Sequence, residues 1–260
     1  MAKAAMAVAA HPDDIEMMMG GTLILLGQAG YDLHYMTVGN GSCGTATHSR
    51  EEIVSIRTEE ARCAAASIGA HYHGPVTNDI EILYETPLIR KLCATVREVN
   101  PEILLLPSPQ DYMEDHMTAS RLMVTAAFCR NMRNYDCDPP TPPVDSEMCL
   151  YHALPWGLMD QLRRPVLPDF VVDVTQVREA KRRMLLCHRS QKEWLDASQG
   201  LDNYLRTMEE MSARVGALTD RFEHAEGWRV HSHLGFGPED FDPLRSTLAR
   251  HIESFNQGER

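Results

Sequence analysis

The stretch Ala4-Ala5-Met6-Ala7-Val8-Ala9-Ala10-His11-Pro12-Asp13-Asp14-Ile15-Glu16 decides the fold. Residues 4–9 form an unbroken run of small and apolar side chains, the pattern of a strand covered on both faces. The run leads straight into His11-Pro12-Asp13-Asp14, a polar turn, and then into a helical stretch opened by Gly20-Gly21. A buried strand, a polar turn and a helix make the repeating unit of an open α/β sheet, whose chemistry gathers in loops at the carboxyl ends of strands. Residues 2–10 also mimic a leader peptide, with one Lys before the apolar run. They are too few and end in charged residues, so they are read as the first strand.

The alternation continues outward. Residues 33–38, 103–106, 149–153 and 170–174 read as further strands. Helical spacing fills 20–29, 50–68, 87–99 and 118–130, with Gly69 as a C-cap and Asn100-Pro101 as a stop. The predicted fold is α/β, a mostly parallel sheet with helices on both faces. Residues 136–144 hold Pro139, Pro140, Pro142 and Pro143 and are predicted to be loop. Beyond Gln176 the chain reads as helical, over 178–195 and 201–218, with a frayed tail at 257–260. The expectation is one domain over 1–260, with a core to about residue 190 and a helical C-terminal part from about 191 onward.

Composition narrows the function. The chain has 260 residues, 43% hydrophobic and 24% charged, which excludes a disordered chain and a coiled coil. Its net charge of −12 repels phosphate backbones, so no nucleic-acid partner is expected. No apolar run approaches the roughly 20 residues of a membrane helix, so no membrane partner is expected either. The 7 cysteines include no C-x-x-C pair and are read as mostly small core side chains in a reduced, cytoplasmic setting.

Two clusters carry chemistry. His11 and Asp14, three residues apart in one turn, can converge on one metal ion, with Asp13 held beside it as a non-ligand. A chain of this composition yields roughly 0.05 chance H-x-D-D matches, and helix capping by the aspartates would not require His11. The second cluster, Asp111-Tyr112-Met113-Glu114-Asp115-His116, also follows a strand and precedes a helix. His116 completes a two-His, one-carboxylate set, which suits a catalytic zinc that keeps one position open. Glu16 and Asp115 are candidates to orient those ligands.

With these motifs, the chain resembles the PIG-L/LmbE-like zinc-dependent N-deacetylases. The likeness runs through A-H-P-D-D at 10–14, G-G-T at 20–22, Arg57-Thr58-Glu59-Glu60-Ala61, Ile68-Gly69, Asn78-Asp79, Asn100-Pro101-Glu102-Ile103, Asp115-His116 and His188-Arg189-Ser190-Gln191. It implies a Rossmann-like fold, one catalytic zinc, and removal of acetyl from an N-acetylglucosamine-like amino sugar. It also implies a homo-oligomer acting on a small molecule. His11, Asp14 and His116 match the metal ligands and Asp13 the general base. Arg57 matches a position that binds a sugar hydroxyl or the acetyl oxygen, the alternative being a helix-surface arginine paired with Glu60. Asp79 either contacts sugar hydroxyls or simply makes a turn.

There is one departure. Where the family has H-P-D-H, this chain has Met113-Glu114-Asp115-His116. A thioether donates no proton. Arg57 is the first candidate to replace the missing histidine near the acetyl oxygen, with His188 and His152 after it. Met113 also raises a non-catalytic metal- or sugar-binding protein as an alternative. A second alternative is a dinucleotide site, because Gly39, Gly41 and Gly44 spell G-x-G-x-x-G. That run follows the second strand rather than the first, and its glycines are read instead as letting a loop approach the metal site. His34, His48, His71, His73, His224, His231, His233 and His251 have no ligand spacing and are left without a role.

Overall fold

A computed structural model describes residues 3–192 and 203–255. Strands β1 (Ala4–Ala9), β2 (Asp32–Thr37), β3 (His71–His73), β4 (Ile103–Leu106), β5 (Cys149–Ala153), β6 (Phe170–Asp173), β7 (Ala225–Val230) and β8 (Ile252–Ser254) join in one sheet. Their order is β3-β2-β1-β4-β5-β7-β6-β8. The first five pair in parallel, and the pairs made by β7 and β8 are antiparallel. The helices are α1 (Asp14–Met18), α2 (Gly20–Gln28), α3 (Arg50–Ser67), α4 (Thr86–Val99), α5 (Glu114–Phe128), α6 (Arg178–Leu185), α7 (Asn203–Gly216) and α8 (Pro243–Thr247).

The alternation of β1 explains the two layers. Ala5, Ala7 and Ala9 face Leu23, Leu26, Ala61 and Ala65 of α2 and α3. Met6, Val8 and Ala10 face Leu92, Val96, Leu122 and Met123 of α4 and α5. Every residue of β1 is buried, so the strand carries no polar face and can only lie inside a sheet covered on both sides. The expected α/β architecture is present, with helices on both faces.

The C-terminal part differs from its helical expectation. α7 is there, but β7 and β8 follow it, and β7 inserts between β5 and β6. β7 reads A-E-G-W-R-V, with a Glu as the second residue of its buried first four. Its burial depends on partners far away in sequence. Glu226 accepts the backbone N–H groups of Gly21 at 2.8 Å and Thr22 at 2.7 Å, capping the first turn of α2. Lys181 donates to the same carboxylate at 2.6 Å and to the Met17 carbonyl at 3.1 Å. Trp228, fully buried two residues on, donates to Thr22 Oγ1 at 3.0 Å.

Smaller differences follow from local chemistry. The helix expected over 118–130 starts at Glu114, because Glu114 and Asp115 suit the positive end of a helix. That start puts His116 in the first turn. α6 stops at Leu185, after which Cys187 pairs with Cys63 and His188 turns inward. Cys93, Cys129, Cys137 and Cys149 are buried thiols as expected, but Cys63 and Cys187 form a disulfide, with Cα atoms 5.8 Å apart. Their separation of 124 residues leaves no signature in spacing. Residues 136–144 contain no helix or strand. Residues 193–195 and 201–202 of the expected helices, and the tail at 257–260, lie outside the described residues. Among the described residues no helix is long and apolar enough to cross a membrane.

The Lys181–Glu226 pair ties β7 to α2 and α6. Replacing Lys181 with Met leaves a buried carboxylate held only by backbone donors. The expected cost is about 3 kcal/mol in urea unfolding; a cost below about 1 kcal/mol would assign the docking of β7 to apolar packing alone.

Candidate metal centre and active-site cavity

His11 leaves β1 at its carboxyl end, and His116 sits on the first turn of α5, after β4. Because β1 and β4 are parallel neighbours, both histidines reach the same end of the sheet. Asp14 lies between them. Its Oδ2 is 3.6 Å from His11 Nδ1 and its Oδ1 is 3.5 Å from His116 Nε2. One ligand atom from each residue falls within 4.8 Å of the other two.

Each imidazole is held by its other nitrogen. His11 Nε2 is 2.9 Å from Asp115 Oδ2. His116 Nδ1 is 3.1 Å from Asp111 Oδ1, which also accepts the Met113 N–H at 3.1 Å. A carboxylate behind a histidine sets its tautomer and leaves the opposite nitrogen free to ligate. The sequence assigned that part to Asp115; Asp111 was missed, although it stands in the same hexapeptide. Burial alone would lower both histidines. The carboxylates outweigh it, Asp115 and Asp14 raising His11 to about 10, and Asp14 and Asp111 raising His116. Burial likewise works against ionisation of Asp14, yet its pKa falls well below the usual range, chiefly through His116 and His11. The cluster therefore calls for positive charge, which a divalent cation supplies with both imidazoles neutral. The donor set fits such an ion.

Asp13 stands beside this set without joining it. Its φ of 98° is in the left-handed region, an unfavourable place for a residue with a Cβ. Surrounding bonds hold it there. Arg57 Nη2 donates to the Pro12 carbonyl and lies 3.5 Å from Asp13 Oδ2. The Tyr204 hydroxyl donates to Asp13 Oδ2 at 2.6 Å. Burial, helped by the charge of Asp14, raises the Asp13 carboxyl against the pull of Arg57, His188 and Tyr204. Tyr204, from the start of α7, was not singled out in the sequence. A tyrosine nearly 200 positions from its partner gives no local signal.

The glycine run serves Arg57. A Cβ on Gly41 would lie 2.5 Å from Arg57 Cδ, and one on Gly44 would overlap its guanidinium. Gly41 also has φ of 79°. The loop thus closes over an arginine, and the dinucleotide reading of Gly39, Gly41 and Gly44 loses its basis. Asp79 has both carboxylate oxygens engaged by that loop, accepting from Gly41 N at 2.7 Å and Cys43 N at 2.9 Å. It fastens the loop and at the same time lines the cavity where the sugar contact was expected. Gln191 donates to the Gly44 carbonyl at 2.8 Å, and Glu60 accepts from Ser190 N at 2.8 Å and Oγ at 2.7 Å. Arg57 is therefore not a surface residue paired with Glu60.

Three candidates sit elsewhere than expected. Glu16 is bonded to Tyr35 at 3.2 Å and lies 3.3 Å from His188, so it orients no ligand. His188 is fully buried behind Asp13 and cannot meet a substrate. Burial lowers it, but Glu16 outweighs burial and the net direction is upward. His152 faces a separate cavity of about 530 Å³ beside His231, 3.0 Å away, and is lowered to about 4 by burial.

The cavity at the metal centre is about 370 Å³. His11, Asp13, Asp14, Arg57, His116 and Tyr204 form its polar part. Ile80, Tyr112, Met113 and Trp156 add apolar surface. Residues 6–127 match the family described as PIG-L: GlcNAc-PI de-N-acetylase. Residues 6–127 belong to the PIG-L family. The chain is 27% identical over 212 residues to a diacetylchitobiose deacetylase of Thermococcus kodakarensis, covering 79% of this chain and 76% of that one. It is 25% identical over 207 residues to a 4-oxalmesaconate hydratase of Pseudomonas putida, covering 73% and 74%. The structure of an N,N'-diacetylchitobiose deacetylase from Pyrococcus horikoshii superposes with a TM-score of 0.73, at 22% identity, over 92% of this chain and 88% of that one. The matched region contains most of β1 and all of β4, and with them all three members of the His-Asp-His cluster.

Two measurements check this geometry. Gly44→Ala should displace Arg57 and cost about 1–3 kcal/mol of stability through overpacking; unchanged denaturation would show that the loop has slack. For His152, the folded pKa lies below the unfolded value of about 6.5, so its contribution is present above pH 6.5 and lost as pH falls toward about 4. A His152→Asn variant should show a flatter stability profile between pH 6.5 and 4, read from melting temperatures; parallel profiles would contradict the assignment.

Proposed function

We propose that this protein is a metal-dependent hydrolase that removes the acetyl group from an N-acetylated amino sugar or its conjugate. One observation carries the reading: a non-ligand carboxylate, Asp13, stands beside two carboxylate-locked imidazoles and Asp14 at the floor of a cavity. A purely structural metal site has no use for that extra, strained carboxylate.

His11 Nδ1, Asp14 and His116 Nε2 would hold the ion, and zinc suits two imidazoles and a carboxylate. When bound, such an ion polarises a carbonyl and makes water more acidic. The rest falls to the chain. Asp13 accepts the proton of the attacking water and delivers it to the leaving nitrogen, work typically worth 10²–10⁴ in rate. Its raised carboxyl pKa suits a group that must hold a proton between those two steps. Arg57 fixes the Asp13 turn through the Pro12 carbonyl. Tyr204 orients the carboxylate and, because it also lines the cavity, takes the place of the proton donor that Met113 lacks.

Met113 and the resemblance to a hydratase favour a second reading, addition of water across a double bond in an unsaturated carboxylate. The lining opposes it. Apart from the metal, the cationic side chain lining the cavity is Arg57, already committed to Asp13, so a multiply charged anion would find few partners there. An uncharged acetamide needs no such partner.

Acetate release from N,N'-diacetylchitobiose and N-acetylglucosamine, measured on zinc-reconstituted protein, tests the proposal. Removal of metal by a chelator should abolish turnover. Asp13→Asn should lower kcat by about 10²–10⁴ with metal content unchanged, and Tyr204→Phe by roughly tenfold. Hydration of an unsaturated dicarboxylate, without acetate release from any acetylated amino sugar, would replace this reading with the second one.

A further inference from the structure

A second group of metal-binding side chains lies on the free edge of the sheet. β3 is the last strand and pairs in parallel with β2, His71 opposite His34 and His73 opposite Met36. Side chains alternate along a strand, so Asp32 and His34 of β2 share one face with His71 and His73 of β3. Leu33 and Tyr35, on the other face, belong to the core. None of the three histidines takes part in the cavity described above.

The distances from Asp32 are those of a carboxylate that can share an ion with either imidazole, although the three ligand atoms do not converge as tightly as those of the first centre, and His71 must turn to close the set. Asp32 Oδ1 is 3.1 Å from His71 Nε2, and Asp32 Oδ2 is 3.6 Å from His34 Nε2. Ligands at about 2.0–2.1 Å in a tetrahedron stand about 3.3 Å apart. Asp32 thus holds an imidazole nitrogen near each oxygen at close to the required spacing. His34 Nδ1 lies 2.9 Å from His73 Nε2. If Nδ1 donates to His73, His34 Nε2 turns a lone pair toward the Asp32 carboxylate, a repulsive arrangement that a cation between them makes favourable. This is the usual arrangement of a ligating histidine, one nitrogen on the metal and the other anchored behind. Burial, with the neighbouring imidazoles, lowers both His34 and His73, so both are neutral and able to ligate at pH 7. His71 is exposed, and its ring is free to turn the remaining distance onto the ion.

We propose that Asp32, His34 and His71, with His73 anchoring His34, form a second site for a divalent transition metal, zinc foremost, distinct from the His11–Asp14–His116 centre. Two imidazoles and one carboxylate leave an open position for water, and the donor set excludes calcium and magnesium, which favour oxygen ligands. An ion there would join β2 to β3. The chain leaving β3 runs on to Asp79, which fastens the glycine loop over Arg57, so occupancy would steady one wall of the cavity. The proposal does not depend on the reaction assigned to that cavity.

Metal counting tests it. Protein stripped with a chelator and dialysed against buffered zinc is analysed for zinc per chain, with circular dichroism to confirm the fold. His71→Ala, a change at an exposed position, should bind one equivalent fewer than the parent, whatever the other centre holds. His34→Gln should lose the same equivalent. His116→Ala should lose a different one, so that combining it with His71→Ala removes both. Zinc should also raise the melting temperature of His116→Ala and leave that of the double variant unchanged. Equal zinc content in the parent and in both edge variants, or a zinc-dependent melting shift that survives His71→Ala, would overturn the site.

Discussion

Negative charge at the carboxyl end of β1 and β4 organises this molecule. Asp14, Asp111 and Asp115 crowd two imidazoles in a place where little water reaches. Charges of one sign cannot be gathered there without a cation, because the interior screens them poorly. The same crowding sets ring orientation. Asp111 and Asp115 each hold the nitrogen that faces away from Asp14, so the nitrogens left over converge. The backbone contributes to this arrangement, since Ile80 N–H, at a residue with φ of 64°, donates to Asp115 at 2.7 Å. Strain at Asp13 and Ile80, both beside the cluster, is the cost of bringing these groups together.

A second set of contacts surrounds that centre and keeps Asp13 in place. Arg57 reaches from α3 to the Asp13 turn, and the glycine loop closes on it. Asp79 grips that loop from one side and Gln191 from the other. His188-Arg189-Ser190-Gln191 is thus a structural clasp between the loop, α3 and the buried Glu16. Gln191 at its end also lines the cavity. The Cys63–Cys187 disulfide fastens the same segment to α3.

The C-terminal part completes both the sheet and the cavity. β7 enters between β5 and β6 and caps α2 through Glu226, so the helix after the His11–Asp14 turn is anchored by a strand some 200 residues away. α7 then places Tyr204 on Asp13. The residues after 190 therefore build the site as well as the scaffold, whereas their sequence reads only as amphipathic helix.

The sequence alone determined the α/β sheet, the position of β1 and the convergence of His11, Asp14 and His116. These follow from short-range signals: an unbroken apolar run, a turn at its end and a second turn after a parallel strand. Residues 4–16 hold most of that information because the strand, the turn and the first two members of the cluster are consecutive. Only the tertiary structure decided how the remaining polar groups are used. Asp79 fastens a loop, Glu16 and His188 pair in the interior, His152 faces another cavity, and His34, His71 and His73 meet across two strands. In each case the partner is distant in sequence, and a polar side chain takes whichever donor, acceptor or charge the register of the sheet brings to it. Local periodicity says which face of an element is buried; it cannot say which carboxylate will meet which amide there.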